Sequence, residues 1–389
     1  MIDAKLVEKI VKLRRTLHQC PELGFEEYET SSILAKELRK LGIATKVIGT
    51  GVVGLIQGKK KDKTIALRAD IDGLPIQEEN KILYCSRNKG KMHACGHDVH
   101  AASVLGAAMI LIKEKDKLNG NIKLIFQPAE ETAMTKNSGA LKLIKKGVLD
   151  NPHVDAILSI HVHTSLLVGT IGVKYGKMLA SADRIEITVR GKGGHGAYPH
   201  QTIDAIVISG YIIQGIQQVV SRNIDPLEAA VVTIGVVKGG TAPNIIADEI
   251  HMIGTMRALD QSIREKMVSL LKRQVEGIAK SFGGTAEFIW KEGCPPLINN
   301  DRLVNLIYES GKELLGEKNV VNISVPVMGG DDFAFYAQRI PGAMFRLGIT
   351  NKKRGIVYPA HHPHFYVDEG CLSIGPAVLA RCAIKWLNQ

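Results

Sequence analysis

The chain has 389 residues, 45% hydrophobic and 23% charged, with a formal net charge of +11. Such a length favours two domains over one core, and the apolar content excludes a disordered chain. The longest apolar run, Ala101–Ile112, is too short to span a bilayer, and the opening MIDAKLVEKIVKLRR lacks the apolar core of a signal peptide. Six cysteines are scattered without a CxxC pair, which suits a reducing cytoplasm better than a disulfide scaffold. Lysines occur in short runs such as Lys59–Lys61, spread along the chain with few aromatics, so solvated faces explain them better than a nucleic-acid surface. A positive field also suits an acidic small substrate.

Two helices are expected first, Ala4–Gln19 and Glu27–Leu41, the second closed by Gly42. Between them Pro21 and Gly24 enforce a turn, and His18 and Glu22 read as packing or capping groups. Strands are expected at Thr45–Ile48, Val52–Gln57 and Thr64–Arg68. The last runs into Asp70 and Asp72, carboxylates placed where open α/β sheets hold ligands; turn-forming aspartates are the plainer alternative.

The next block, MHACGHDVH, puts His93, Cys95, His97, Asp98 and His100 within eight positions. Imidazole, thiolate and carboxylate are the donors that zinc-like divalent metals take. An apolar helix through Lys113 follows, then a buried strand Asn121–Gln127 that ends in Pro128-Ala129-Glu130-Glu131. Adjacent glutamates point different ways, so one can bind metal while its neighbour serves as a base toward water. Val154–Ile160 repeats the pattern, an apolar strand ending in His161-Val162-His163. Chemistry on successive strand ends implies an α/β sheet with one shared active-site edge.

Beyond Met178 the texture changes. Asp183–Arg190 alternates apolar and polar residues, and GKGGHGAYPH, a helix over Ile203–Ser221, strands at Ala229–Val237 and Glu249–Arg257, a helix over Gln261–Ser281 and a strand at Thr285–Trp290 follow. These make a smaller α+β unit, 179–293, inserted into a catalytic domain formed by 1–178 and 294–389, with Cys294-Pro295-Pro296 as the return. Helices near Arg302–Leu315 and Gly370–Leu387 flank MGGDDFAFY, PGAMFRLG and AHHPHF.

RRTLHQCPELGFEE, LRADIDGLPIQE, MHACGHDVH, FQPAEE, GKGGHGAYPH, GGTAPNIIADE and HHPHFYVDE together resemble, over nearly the full length, the aminoacylase-like dinuclear metallohydrolases. The branch is that of hippurate hydrolase, auxin-conjugate (IAA-amino acid) amidohydrolase and N-acetyldiaminopimelate deacetylase. The resemblance implies a zinc-peptidase-like α/β catalytic domain, a mixed sheet with helices on both faces, carrying an inserted lid and dimerisation domain. It implies two divalent metal ions (Zn, Mn, Co or Ni) held by Cys95, His97, Glu131, His161 and His361, with Cys95 as the bridging thiolate. Glu130 matches the general base toward a metal-bound water, and Asp70 and Asp72 match an acidic strand end that orients the ligands. His195 matches a histidine that reaches a neighbouring subunit's site and polarises the scissile carbonyl, while Asn244 and Arg257 match positions near the substrate's carboxylate. His361 is chosen over His362 and His364 by its spacing to Pro363 and Phe365, and His163 falls outside the ligand set.

Two departures stand out: TAMTKNSGA (132–140) replaces a glycine-rich turn, and Asp331 stands where a glutamate is usual. The expected function is that of a cytoplasmic amidohydrolase cleaving N-acyl-L-amino acids, a homodimer through the lid, with no nucleic-acid or membrane partner. Carboxypeptidase or dipeptidase action on short peptides and N-acetyldiaminopimelate deacetylation are the alternatives; the intact ligand and base positions argue against a non-enzymatic binding protein.

Overall fold

The structure, a computed structural model, describes residues 3–60, 62–132 and 137–389. Lys61 of the lysine run and residues 133–136 of the TAMTKNSGA segment lie outside the described residues. The main sheet orders eight strands as Ala44–Ile48, Gly51–Ile56, Asn121–Gln127, Thr64–Asp70, Ala156–Leu167, Gly342–Thr350, Ile171–Val173 and Val320–Asn322. From Asn121–Gln127 to Gly342–Thr350 the strands run parallel. Gly51–Ile56 and Ile171–Val173 pair antiparallel on either side of that block, so the sheet is mixed.

Parallel strands are covered on both faces and read as continuous apolar runs, and every residue of Thr64–Asp70 is buried. Ile65, Leu67 and Ala69 join Ile122, Leu124 and Phe126 in one core, while Ala66 joins Ile125 and Ile157 in another. Helices Ala4–His18, Tyr28–Lys40, His97–Leu111, Asp301–Leu315 and Gly375–Leu387 supply the first core, and the short helices Gly139–Lys145 and Ala334–Ala337 cover the second. Each fully buried Leu or Ile in these layers contributes roughly 1.5–3 kcal/mol relative to exposure. The stretch Glu369–Leu387 has the length and hydropathy to cross a membrane, but 61% of it is buried, and its helix packs on His97–Leu111 and Asp301–Leu315.

Two elements differ from the sequence reading in ways that matter for the site. The strand expected to stop at Ile160 runs on to Leu167, so His161 and His163 are strand residues rather than loop residues. The reason is its partner: Gly342–Thr350, the PGAMFRLG run, is a central strand that pairs with it as far as Leu167. The ligand-block helix starts at His97, earlier than its apolar pattern suggests, which places His97, Asp98 and His100 on its first turn.

A second sheet orders four antiparallel strands as Ala230–Gly239, Glu249–Ala258, Ala182–Arg190 and Thr285–Cys294. The alternating residues Ile185, Ile187 and Val189 pack under Ile208, Ile212 and Ile216 of helix Ala205–Gln218 and under Met267, Leu271 and Val275 of helix Gln261–Ser281. The outgoing and returning chain segments, Gly176–Leu179 and Leu297–Asn299, pair with each other as a two-stranded ribbon.

Candidate metal centre and active site

The parallel strands bring their chemistry to one edge. Asp70 stands opposite Gln127, Arg68 opposite Ser159, and Arg346 opposite His161. Thr64–Asp70 pairs with Ala156–Leu167 only up to Ser159, so His161 lies past the end of that pairing, level with the strand's last residue Asp70. The loop after strand Asn121–Gln127 turns sharply at Ala129, a non-glycine at φ 51°, and delivers Glu130 and Glu131 to the same edge. Cys95 and His97 arrive on the helix start. Gly96 between them has φ 83°, and a Cβ there would meet Val162 Cγ2 at 2.6 Å, so only glycine fits this turn.

Several donor sets form among the described residues, and two of them meet at Cys95. Cys95, His97 and His161 place ligand atoms within 4.8 Å of one another, as do Cys95, Glu131 and His361. Cys95 Sγ lies 3.7 Å from His161 Nε2, and His361 Nε2 lies 3.5 Å from Glu131 Oε1. His361 is itself held at φ 65° and anchored by its N–H to the Ala94 carbonyl at 2.8 Å. Glu130 Oε2 sits 3.8 Å from His97 Nε2 and shares a further acidic group with Asp331 and Asp332.

The residues behind this cluster set its geometry. Asp72 accepts from His97 Nδ1 at 3.1 Å and from the Glu131 N–H at 3.0 Å. A carboxylate only accepts, so Nδ1 carries the proton and Nε2 faces Glu130 and Glu131. Asp70 accepts from His100 Nδ1 at 2.5 Å and from Arg68 at 2.7 Å, while His100 Nε2 accepts the Val162 N–H at 2.8 Å. Arg68 also reaches Asp332 at 2.9 Å, and Gln127 and Ser138 donate to the same carboxylate. Arg68, Gln127 and Asp332 were not singled out from sequence, although an arginine within the apolar strand TIALRAD signals a buried partner.

Of the five donors in MHACGHDVH, only Cys95 and His97 enter these clusters without a structural partner taking them up elsewhere. Asp98 turns away to Arg14 at 2.7 Å and His18 at 2.8 Å; His100 bridges Asp70 and Val162; His93 is buried beside the His18 ring. A helix turning about 100° per residue sends consecutive side chains to different faces. His18 is therefore a packing group, bonded to Asp98 and Glu78, and Glu22 caps the second helix through the Glu29 and Thr30 N–H groups. His195, on the two-residue strand Gly194–His195, and Asn244, in the turn before its partner Ile245–Ile246, are exposed and do not line the cluster's cavity of about 340 Å³, whereas Arg257 does.

The electrostatics favour cations. His97 is drawn well above the imidazole range: burial opposes this, and Asp70, Asp72 and Cys95 outweigh it. His361 is raised to about 10 by Cys95 first and Glu131 next. Burial, then Asp331 and Glu131, pushes Glu130 well above the carboxylate range. Burial and His100 hold His161 neutral, the ligating form of the ring. His97 Nε2 and Glu131 Oε1 are buried without a hydrogen-bond partner. Orphaned buried donors of N, O and S type around one small space are what a divalent metal satisfies, so the residues fit such a group.

Residues 66–385 match the model of Peptidase family M20/M25/M40. The chain belongs to that family. It is a metal-dependent hydrolase. The chain is 41% identical to thermostable carboxypeptidase 2 of Saccharolobus solfataricus, over 100% of this chain and 98% of that one. It is 40% identical to an N-acetylcysteine deacetylase of Bacillus subtilis, over 99% and 98% of the two chains. A solved structure from Bacillus subtilis, described as a dinuclear metal-binding peptidase of the M20 family, superposes with a TM-score of 0.86 at 36% identity, covering 99% of both chains.

Proposed function

We propose that this enzyme cleaves the amide bond of N-acyl-L-amino acids, releasing a carboxylic acid and a free amino acid. The observation that carries the reading is the pair of donor sets sharing Cys95, set beside Glu130 in a cavity that Arg257 closes from the inserted unit. Cys95, His97 and His161 would hold one divalent ion and Cys95, Glu131 and His361 the other, with Zn, Mn, Co or Ni all suited to such donors. When bound, those ions acidify water and polarise a carbonyl. Glu130 takes the proton from the attacking water and returns it to the leaving nitrogen, a transfer its burial beside the donors favours. Asp72 and Asp70 keep His97 and His100 in fixed tautomers.

Arg257 pairs with the substrate's α-carboxylate; among the described residues it makes no ion pair, and it lines the cavity together with the ligands. His195 and Asn244 serve a neighbouring subunit's site, because within this chain they stand exposed and away from the cavity. The dimer this requires forms through 179–293, acting as lid and dimerisation domain. Ile206, Val207 and Tyr211 are exposed on one helix, and Val231, Val236 and Val237 on the outermost strand, an edge of the kind that proteins cover. The cytoplasm is the compartment that fits six free cysteines.

The second reading is peptidase action, favoured by the carboxypeptidase name of a relative as similar as the deacetylase. Both reactions pass through one tetrahedral transition state and differ in what fills the acyl side. A panel of N-acetyl, N-benzoyl and indole-acetyl amino acids, N-acetyldiaminopimelate and dipeptides, run with protein loaded with Zn, Mn or Co, separates them. Faster cleavage of acyl amino acids supports the amidohydrolase; faster cleavage of dipeptides moves the enzyme to the peptidase reading.

A further inference from the structure

Four arginines are buried among the described residues: Arg14, Arg68, Arg264 and Arg346. Three are paired with carboxylates, Arg14 with Asp98 at 2.7 Å, Arg68 with Asp70 at 2.7 Å and Arg264 with Asp183 at 2.6 Å. Arg346 is the exception. It is 6% exposed, its Nε has no hydrogen-bond partner, and no carboxylate among the described residues comes within 4.0 Å of it. A buried guanidinium is costly unless an anion meets it at close range, and burial draws Arg346 below the usual arginine range against the opposing pull of Asp331, Cys95, Glu130 and Asp70.

Its position says where that anion comes from. Arg346 stands in register with His161 on the adjacent parallel strand and lines the same cavity as the metal donors. Glu130 and Asp331 share this cavity but are not within ion-pair distance of Arg346; Asp331 pairs with Arg68 at 3.3 Å, and Glu130 lies 3.8 Å from His97. Arg257, which also makes no ion pair among the described residues, lines the cavity from the inserted unit's strand Glu249–Ala258. Two unpaired guanidinium groups on different walls of one cavity call for two anionic groups on its occupant.

We propose that Arg346 is a specificity-determining residue that receives a second carboxylate, so that the preferred substrates are dianionic N-acyl amino acids. This rests on the function proposed above, in which Arg257 takes the α-carboxylate. The second carboxylate belongs either to the acyl chain, as in an N-succinyl group, or to the amino acid's side chain, as in glutamate. Guanidinium and carboxylate meet in a planar two-point contact, which lysine reproduces only as a point charge.

The test compares metal-loaded wild type, Arg346→Met and Arg346→Lys on N-acetylalanine, N-acetylglutamate and N-succinylalanine. Wild type is expected to favour one of the two dianionic substrates, and which one identifies the source of the carboxylate. In Arg346→Met that preference, as a ratio of kcat/KM to N-acetylalanine, falls about 10- to 100-fold through KM, and Arg346→Lys restores part of it. Metal content and melting midpoint, measured on each variant, show that fold and metal site persist. An equal loss on all three substrates, or no loss, overturns the proposal.

Calorimetric titration of the same proteins with succinate and acetate gives an independent readout. Tighter binding of succinate to wild type, lost in Arg346→Met, supports the proposal even if the panel favours dipeptides and the N-acyl reading fails. Equal binding of succinate by wild type and Arg346→Met overturns it.

Discussion

Asp72 and His97 are 3.1 Å apart, and the same carboxylate holds the Glu131 N–H at 3.0 Å. One buried side chain thus sets the direction of a histidine donor and the backbone of a glutamate donor that lies far along the chain. Asp72→Asn keeps the size but replaces an accepting oxygen with a donating amide. Metal affinity is expected to fall about 10- to 100-fold, read by competition with a coloured chelator. Unchanged affinity would remove Asp72 from the positioning role.

The Glu130 carboxylate makes no hydrogen bond among the described residues and lies 3.8 Å from His97, so its loss should be chemical rather than architectural. Glu130→Gln is expected to retain metal and melting midpoint while kcat drops on the order of 10²- to 10⁴-fold. Metal analysis of the dialysed variant beside its kcat decides this. Loss of metal together with activity would make Glu130 a ligand instead of the base.

Arg68 lies fully buried between Asp70 at 2.7 Å and Asp332 at 2.9 Å. Arg68→Met leaves Asp332 without its cation and Asp70 with only His97 and His100 beside it, and breaking a buried pair in this way costs about 3–5 kcal/mol. Urea unfolding should show that loss. A loss under about 1 kcal/mol would mean that Gln127 and Ser138 alone satisfy Asp332.

His18 is enclosed by Arg14 at 3.2 Å, Asp98 at 2.8 Å and Glu78 at 3.2 Å, with the rings of Tyr84 and His93 beside it. Burial and Arg14 oppose its protonation, but the two carboxylates outweigh them and raise it above the usual imidazole value. A raised folded pKa means stability fully present below the unfolded value of about 6.5 and lost as pH rises through the folded one. The gap in urea midpoint between wild type and His18→Gln is therefore expected to narrow from about pH 6 to about pH 9. A gap that widens over that interval would reverse the assigned sign.

Gly96 offers a steric check on the donor loop. Gly96→Ala puts a methyl 2.6 Å from Val162 at φ 83°, a strain of about 1–3 kcal/mol. Lower stability and weaker metal binding should appear together, because Cys95 and His97 flank the strained position. Reduced stability with intact metal affinity would show that the loop relaxes elsewhere.

Much of the molecule was legible in its residues. Runs such as NIKLIFQ and TIALRAD are apolar without alternation, which marks strands covered on both faces, and their bounds in the structure follow closely. Gly342–Thr350 was harder, because Pro341, Gly342 and Gly348 break its apolar run, and only pairing with Ala156–Leu167 makes it a strand. The same pairing carries His161 inside a strand rather than past its end.

The sequence by itself determined the chemistry on offer: a thiol, histidines and carboxylates at the ends of apolar strands, and a smaller α+β unit between them. Those features are local, written in side-chain type and in the periods of helix and strand. Only the tertiary structure decided which donors converge, that Asp98 and His100 turn to structural partners, and that Arg346 lines the donors' cavity with no ion pair among the described residues. Such contacts join residues far apart in the chain, as Arg68 and Asp332 are at 264 positions. No local period encodes them; strand order and register do.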